Sequence, residues 1–153
     1  MAEEPKIVYV DMDDTLCMFR KRWHMIKETN PEIEYPQSMI GFFKELEPME
    51  YALACMAMLI DSDRYEVWIA TAPSVKNKHC YTEKAEWMET YFGHDILERM
   101  IIVPDKSKLI GDYLIDDMSE GKGQDKFQGE LIQIGSERFR TWVDITDYLL
   151  NQS

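Results

Sequence analysis

Two aspartates separated by one residue, Asp11 and Asp13, begin the set of side chains that could do chemistry. They follow an apolar segment and precede Thr15, so that an Asp-x-Asp-x-Thr motif stands at the end of a predicted strand. Alternation along an extended backbone puts both carboxylates on one side, where they repel unless a cation lies between them or one takes a proton. The motif alone is weak, but its position at a strand end favours catalysis over a solvated acidic turn.

Further polar groups follow later apolar segments of the chain. Thr71 comes at the end of one such segment, Lys84 lies early in a predicted helix, and a third segment ends in Asp116 and Asp117. Taken singly, Thr71 fits a turn before proline as well as a phosphate ligand, and Lys84 fits a surface residue paired with nearby glutamates. Asp116 together with Asp11 and Asp13 could form the oxygen-rich kind of site that Mg²⁺ prefers.

The pattern of hydrophobic residues predicts the elements that must position these groups. Apolar runs rich in branched side chains predict strands at 6–12, 65–70, 100–103, 113–115 and 131–134. Helical spacing predicts helices at 17–29, 50–59, 82–92 and 145–150, whereas the glycine- and charge-rich segment 121–129 predicts a loop. This order indicates an α/β fold with a mainly parallel five-stranded, Rossmann-like sheet and helices on both faces. Ligands of such sheets bind at the carboxyl ends of the strands, where the polar groups are expected.

The chain between the first two predicted strands is long for a single crossover. A small helical cap at 17–60, inserted after the first strand, explains it better than a long loop does. The remaining residues, 1–16 and 61–153, are then expected to form the core domain.

The amino-acid composition limits the classes of partner that the protein is expected to bind. The chain has 153 residues with 17 basic and 29 acidic side chains, a formal net charge of −12. This charge argues against nucleic-acid polymers and anionic membranes as partners, although one locally positive point could hold a small anion. The three cysteines are too few and too widely spaced for a disulfide framework, which predicts reduced, buried thiols. With an acidic start and no long apolar run, the sequence predicts a cytoplasmic protein.

The ordered set of Asp11, Asp13, Thr71, Lys84 and the Asp116-Asp117 pair resembles the haloacid dehalogenase superfamily of phosphatases. A closer resemblance is to the 5′(3′)-deoxyribonucleotidase family and covers most of the chain up to about residue 117. The stretches that carry it are GFFKELEP at 41–48, TAP at 71–73, EKAEWMETYFG at 83–93, DK at 105–106 and LIDD at 114–117. The resemblance implies a Mg²⁺-dependent phosphomonoester hydrolase that dephosphorylates nucleoside monophosphates, most readily deoxyribonucleotides, through an aspartyl-phosphate. A homodimer is a further expectation.

The resemblance also implies roles for individual residues. Asp11 would be the nucleophile, and Asp13 would be the general acid that protonates the leaving oxygen and then the base that activates water. Mg²⁺ would be held by Asp11, the main-chain carbonyl of Asp13, and Asp116, with Asp117 in support.

Other matched positions would contact the substrate. Thr71, Ala72 and Lys84 would hold the phosphate, and Lys106 is a candidate second cation. The aromatic side chains expected to form an apolar wall against the base or sugar are Phe19, Phe42 and Phe43.

The chain departs from the family pattern at three positions beside the motifs, one of which is Pro104, where the family often has a polar or basic residue. Asp14 stands where these nucleotidases more often have glycine, which adds a charge next to the predicted site. Ala72 stands where serine is common, which leaves only a backbone N–H to donate to phosphate.

Two alternatives remain open at this point. One is a phosphatase of the same class that acts on another small phosphomonoester. The other is a catalytically silent module, like a response-regulator receiver, that binds Mg²⁺ and phosphate without turnover. In a receiver the phosphoaccepting aspartate lies on a later strand than the acid pair and no cap is inserted, so the order of motifs here favours the phosphatase.

Overall fold

The computed structural model describes residues 3–151, and a five-stranded sheet forms its centre. The strands are β1 (Lys6–Val10), β2 (Tyr65–Thr71), β3 (Met100–Ile102), β4 (Tyr113–Asp116) and β5 (Glu130–Gln133). The α-helices are α1 (Phe19–Thr29), α2 (Ala52–Asp61), α3 (His79–Phe92) and α4 (Trp142–Leu150). Short 3-10 helices occupy Pro36–Ser38, His94–Arg99, Lys106–Lys108 and Gln124–Lys126.

The sheet has the order β3-β2-β1-β4-β5, and each of its strand pairs is parallel. The predicted α/β fold with a parallel sheet is therefore confirmed. β1 lies in the middle, with Val10 paired to Ile69 of β2 and to Ile115 of β4. Because all strands run the same way, the chain that leaves β1 emerges between the ends of β2 and β4.

The two faces of the sheet are covered differently. Val8 and Val10 of β1 point to one face and share a core cluster with the buried side chains of α2, α3 and α4. Tyr9 points to the other face, where Leu109 and Phe127 pack against it in a second cluster. Leu109 and Phe127 each directly follow a 3-10 helix. The sequence predicted helices on both faces. In the structure the α-helices pack on one face, and the 3-10 helices Lys106–Lys108 and Gln124–Lys126 lie on the other.

Local capping explains where the helices begin. α2 starts at Ala52, two residues after the predicted start, because Tyr51 has a left-handed backbone with φ of 64°. α4 starts at Trp142, earlier than predicted, because Thr141 and Asp144 form a reciprocal capping box. The capping box satisfies backbone N–H groups that a helix start otherwise leaves without partners.

The division into a cap at 17–60 and a core of 1–16 and 61–153 stays a prediction. Within the predicted cap, α1 has no fully buried residue, although Phe19, Trp23 and Ile26 pack against the core. α2 by contrast packs against β2 and α4. α1 is thus the part of the predicted cap that is more lightly attached to the sheet.

Two predictions about the whole chain can be compared with residues 3–151. The three cysteines are free and buried, as predicted. Over the same residues, every helix is too short or too polar to cross a membrane.

Candidate active site

A buried lysine joins the two carboxylates that follow β1 and end β4. The Lys106 ammonium donates from Nζ to Oδ1 of Asp11 at 2.8 Å and to Oδ2 of Asp116. Asp11 is 6% exposed, and both Lys106 and Asp116 are 1% exposed. Two carboxylates that are buried this deeply would repel each other strongly without a cation between them. Lys106, predicted as a second cation, therefore balances the charge of the predicted nucleophile and metal ligand.

A second buried lysine lies at the end of β2. Lys84 Nζ donates to Oδ2 of Asp13 at 3.1 Å, to Oγ1 of Thr71 at 2.6 Å and to the carbonyl oxygen of Ala72 at 2.8 Å. These acceptors use all three donors of the ammonium. Lys84 is fully buried, so the interpretation as a surface lysine paired along its helix is wrong. The structure brings Asp13, Thr71, Ala72 and Lys84 together.

The residue before Lys84 fixes the loop that covers it. Glu83 is 6% exposed and accepts from the backbone N–H groups of Gly41 at 2.7 Å and Phe43 at 3.0 Å. The ring of Phe43 in turn lies 5.0 Å from Lys84 Nζ, within cation–π range. Sequence reasoning assigned no role to Glu83, because a helical pattern alone does not show which loop crosses the helix.

Three carboxylates converge at the ends of β1 and β4. Asp11, Asp116 and Asp117 each offer an oxygen, and these oxygens lie within 4.8 Å of one another. An all-oxygen set of this size suits a hard divalent cation such as Mg²⁺. Asp11 and Asp116 were predicted ligands and Asp117 a supporting one. The Asp13 side chain lies outside this group and bonds Lys84 instead.

Hydrogen bonds hold the Asp116 carboxylate in place. The N–H of Met118 donates to Oδ1 at 2.9 Å, and Gln124 Nε2 lies 3.4 Å from Oδ2. Gln124 is 3% exposed although it belongs to a segment predicted as a loop. Sequence reasoning missed Gln124, and a glycine- and charge-rich stretch offers no signal that could have found it.

Burial and mutual repulsion raise the pKa values of several of these carboxyl groups. Burial raises the pKa of Asp13, and the charge of Asp11 adds to the rise while Lys84 opposes it. Burial and the neighbouring Asp11 raise the pKa of Asp116, and the same two causes raise that of Asp117 to about 8. A raised pKa increases the fraction of a carboxyl group that carries a proton at a given pH, and a protonated carboxyl group can act as an acid.

The stability of the metal-free protein is expected to fall as pH rises through the titration of Asp117. Its pKa is about 8 in the folded protein against an ordinary 3.8, so between these values the folded state binds more protons than the unfolded state. The free energy of unfolding, measured by urea titration in EDTA, should therefore decrease across that interval. Asp117→Asn should flatten the slope, and an equal slope in the variant would contradict this origin.

A cavity of about 250 Å³ opens over these groups. Its wall consists of Asp11, Asp13, Asp14, Phe19, Arg20, Ala72, Lys106, Asp116, Asp117, Met118, Lys122 and Gln124. Thr71 and Lys84 are fully buried behind it. The cavity therefore combines the predicted nucleophile, acid and metal ligands at one place.

Of the three aromatic residues predicted to face the substrate, one lies at the cavity wall and two lie in the core. Phe19 lines the cavity. Phe42 is fully buried and Phe43 is 1% exposed, and their rings lie 5.2 Å and 6.0 Å from that of Phe19. Phe42 and Phe43 thus support Phe19 from the core, and the structure does not bring them to the cavity.

The overall arrangement is that of haloacid dehalogenase-like hydrolases. The Bacillus subtilis protein YfnB, assigned to this class of hydrolases and solved with bound magnesium, superimposes with a TM-score of 0.66 over 98% of this chain and 100% of its own. A haloacid dehalogenase-like hydrolase from Xanthomonas campestris gives a TM-score of 0.62 over 97% of this chain and 91% of its own. Their sequence identities, 10% and 12%, confine the likeness to the fold.

Sequence comparison gives the family within this class. Residues 30–148 match the family described as 5′ nucleotidase, deoxy (Pyrimidine), cytosolic type C protein. The chain belongs to this family, so the predicted relation to the deoxyribonucleotidases is confirmed.

Individual relatives agree with this assignment. The human cytosolic 5′(3′)-deoxyribonucleotidase is 40% identical over 86 residues, which make up 56% of this chain and 43% of the human protein. A Vibrio phage KVP40 protein, assigned to the 5′(3′)-deoxyribonucleotidases, is 29% identical over 149 residues, 96% of this chain and 86% of its own. The chain thus spans less than half of the human relative and most of the phage relative.

Proposed function

We propose that the protein hydrolyses phosphomonoesters with Asp11 as the nucleophile. The observation that carries this proposal is the position of Asp11 between buried Lys106 and the Asp116-Asp117 pair, at the base of an open cavity. A carboxylate attacks a phosphate dianion only where cations offset the repulsion between them. Lys84 and Lys106 supply two buried positive charges for this purpose.

The chemistry is divided between two aspartates. In the first step an oxygen of Asp11 bonds to phosphorus, the bond from phosphorus to the leaving oxygen breaks, and Asp13 gives that oxygen its proton. In the second step Asp13 takes a proton from water, the water oxygen bonds to phosphorus, and the bond to Asp11 breaks. Phosphate leaves, and both aspartates return to their starting states. The raised pKa of Asp13 supports its role as the acid of the first step.

The three equatorial oxygens of a transferring phosphoryl group need positive charge nearby, and Lys106 lies in the cavity wall while Lys84 lies directly behind it. The Lys84 ammonium lies beside Thr71 and Ala72, and that of Lys106 lies against Asp11. We assign phosphate binding to Thr71, Ala72 and Lys84, with Lys106 as the second cation. This assignment leaves Asp13 in the cavity wall, next to Lys84.

The carboxylates of Asp11, Asp116 and Asp117 and the main-chain carbonyl of Asp13 are the groups that would hold Mg²⁺. When bound, Mg²⁺ neutralises charge on the phosphoryl oxygens and on the carboxylates around them. The chain's own contribution is to fix these oxygens: Lys106 and Met118 N–H orient Asp116, and Lys106 also orients Asp11.

A nucleoside monophosphate, in particular a deoxyribonucleotide, is the proposed substrate. The family and its human and phage relatives support this choice. Phe19 offers a flat apolar face at the cavity wall. A cytoplasmic location and a homodimer belong to the same proposal; one human relative is named as cytosolic and another as mitochondrial.

A smaller phosphomonoester is a second candidate substrate. The cavity over the carboxylates measures about 250 Å³, and typical ligand pockets begin at about 300 Å³. Since Phe42 and Phe43 are buried, the wall against a base is smaller than the sequence predicted. A sugar phosphate would fill this cavity with less need for an aromatic wall.

A substrate panel tests the proposed function. Phosphate release is measured from deoxy- and ribonucleoside 5′- and 3′-monophosphates, from sugar phosphates and from p-nitrophenyl phosphate, each with Mg²⁺ or EDTA. We expect Mg²⁺-dependent release that is fastest from the deoxyribonucleotides. Faster release from sugar phosphates would favour the second candidate, a flat profile would remove the nucleotidase assignment, and no release from any ester would leave the silent binding module.

A further inference from the structure

Asp14 has a backbone conformation that glycine adopts more easily. Its φ is 60°, in the left-handed region, and it is one of only two non-glycine residues with positive φ in residues 3–151. Asparagine and aspartate tolerate this region better than other side chains, yet at a cost that glycine avoids. A side chain kept at such a position beside a catalytic centre calls for a compensating contact.

The compensating contact is a cap on α1. Met18, the residue before the helix, provides no side-chain cap. Asp14 Oδ1 instead accepts from the N–H of Arg20 at 3.0 Å, in the first turn of α1. A carboxylate at a helix start satisfies a backbone donor and meets the positive end of the helix dipole. Asp14 thus fastens the first turn of α1 to the loop that carries Asp11 and Asp13.

Arg20 extends this contact to the metal-binding carboxylates. Its Nε lies 3.3 Å from Oδ2 of Asp14, and its Nη2 lies 3.4 Å from Oδ2 of Asp117. The Arg20 side chain is 63% exposed, so these ion pairs contribute little to stability. Their effect is geometric, because they connect α1 to the end of β4.

The contacts of Asp14 and Arg20 bear on substrate binding through Phe19. It precedes Arg20 on the first turn of α1, and both residues line the cavity over the catalytic carboxylates. None of the residues of α1 is fully buried, and the other contacts of its first turn include the exposed Lys21–Glu47 ion pair and the packing of Phe19 against Phe42 and Phe43. The position of Phe19 over the cavity therefore depends on what holds the start of the helix.

We propose that Asp14 and Arg20 form a brace that holds α1, and with it Phe19, as a fixed wall over the catalytic carboxylates. Both are then positioning residues that favour substrates with a flat group beyond the phosphate. The kinetic part of this inference rests on the proposed phosphatase function, whereas its structural part stands independently.

Amide hydrogen exchange followed by NMR tests the structural part. Asp14→Gly keeps the left-handed backbone and removes the acceptor, so the Arg20 amide should exchange about twofold faster, as replacement of a helix cap by glycine predicts. Asp14→Asn keeps both the backbone preference and an acceptor oxygen, and should exchange as the wild type does. Unchanged exchange in Asp14→Gly would overturn the brace, as would equally fast exchange in both variants.

Kinetics test the role in selection. Asp14→Gly and Arg20→Gln should each raise KM for a deoxyribonucleotide several-fold more than KM for a methyl phosphate ester, which is too small to reach Phe19. Arg20→Lys should restore part of the difference. Lys21→Gln is the matched control, because Lys21 is an exposed cation on the same turn that pairs with Glu47. Equal changes in KM for both esters would overturn the positioning role. If the wild type hydrolyses neither ester, the proposed function fails, and the exchange rates still decide the brace.

Discussion

Asp11→Asn is expected to lower kcat for phosphomonoester hydrolysis by at least about a thousandfold, the scale on which loss of a nucleophile acts. The amide keeps the size of the side chain and an oxygen that can accept from Lys106, so the fold should persist. It cannot form the acyl-phosphate bond that the proposed first step requires. Phosphate release under saturating substrate measures the loss, and circular dichroism checks the fold.

The matched control for this variant is Asp63→Asn, which changes an exposed aspartate just before β2, at the opposite end of the sheet from the cavity. It carries the same chemical change and should retain wild-type kcat. Activity in Asp11→Asn close to that of Asp63→Asn would exclude Asp11 as the nucleophile. Such a result would not change the assignment of the fold or of the family, because both rest on other observations.

The architecture of the sheet was largely predictable from the sequence. An apolar run such as the one in β2 predicts a strand within a parallel sheet. In the structure five of the seven residues of β2 are buried. Helix ends were less predictable, because they depend on single backbone conformations. The left-handed φ of Tyr51 delays α2, and nothing in a helical pattern of apolar residues indicates this.

The part of the candidate site that was predictable consists of polar residues at the carboxyl ends of the predicted strands. Asp11 follows β1, Thr71 ends β2 and Asp116 ends β4. Parallel strands bring such positions to one edge of the sheet. Contacts across the chain were not predictable. Glu83 bonds a loop forty positions earlier, and Phe42 and Phe43 are buried where a wall was expected. Both depend on how the segment after α1 folds back on α3, which local patterns do not encode.

The two buried lysines show how an acidic chain can prepare a site for an anion. The net charge of −12 describes the whole sequence, whereas at the carboxyl end of the sheet each buried ammonium contacts at least one carboxylate. Lys106 is the more critical of the two, because it contacts both Asp11 and Asp116. Burial of these carboxylates is tolerable only while a cation lies between them.

Lys106→Met is therefore expected to destabilise the metal-free protein by about 3–5 kcal/mol, the usual cost of leaving buried charges without a partner. Mg²⁺ should restore much of this loss, since a divalent cation can again lie between the carboxylates. Unfolding by urea, with and without Mg²⁺, measures both effects. Tighter binding to the folded state stabilises it more. The gain from Mg²⁺ should therefore be larger in the variant than in the wild type, where Lys106 already balances part of the carboxylate charge.

Lys108→Met provides the comparison, since Lys108 is exposed two residues further along the same 3-10 helix. It should show wild-type stability and a wild-type response to Mg²⁺. If Lys106→Met is as stable as Lys108→Met in EDTA, then Asp11 and Asp116 do not depend on the ammonium. If Mg²⁺ stabilises both variants equally, the cation does not occupy the space between those two carboxylates. A Lys106→Met protein that folds only when Mg²⁺ is present would be the strongest form of the expected result, because charge balance at these oxygens would then decide whether the sheet forms at all.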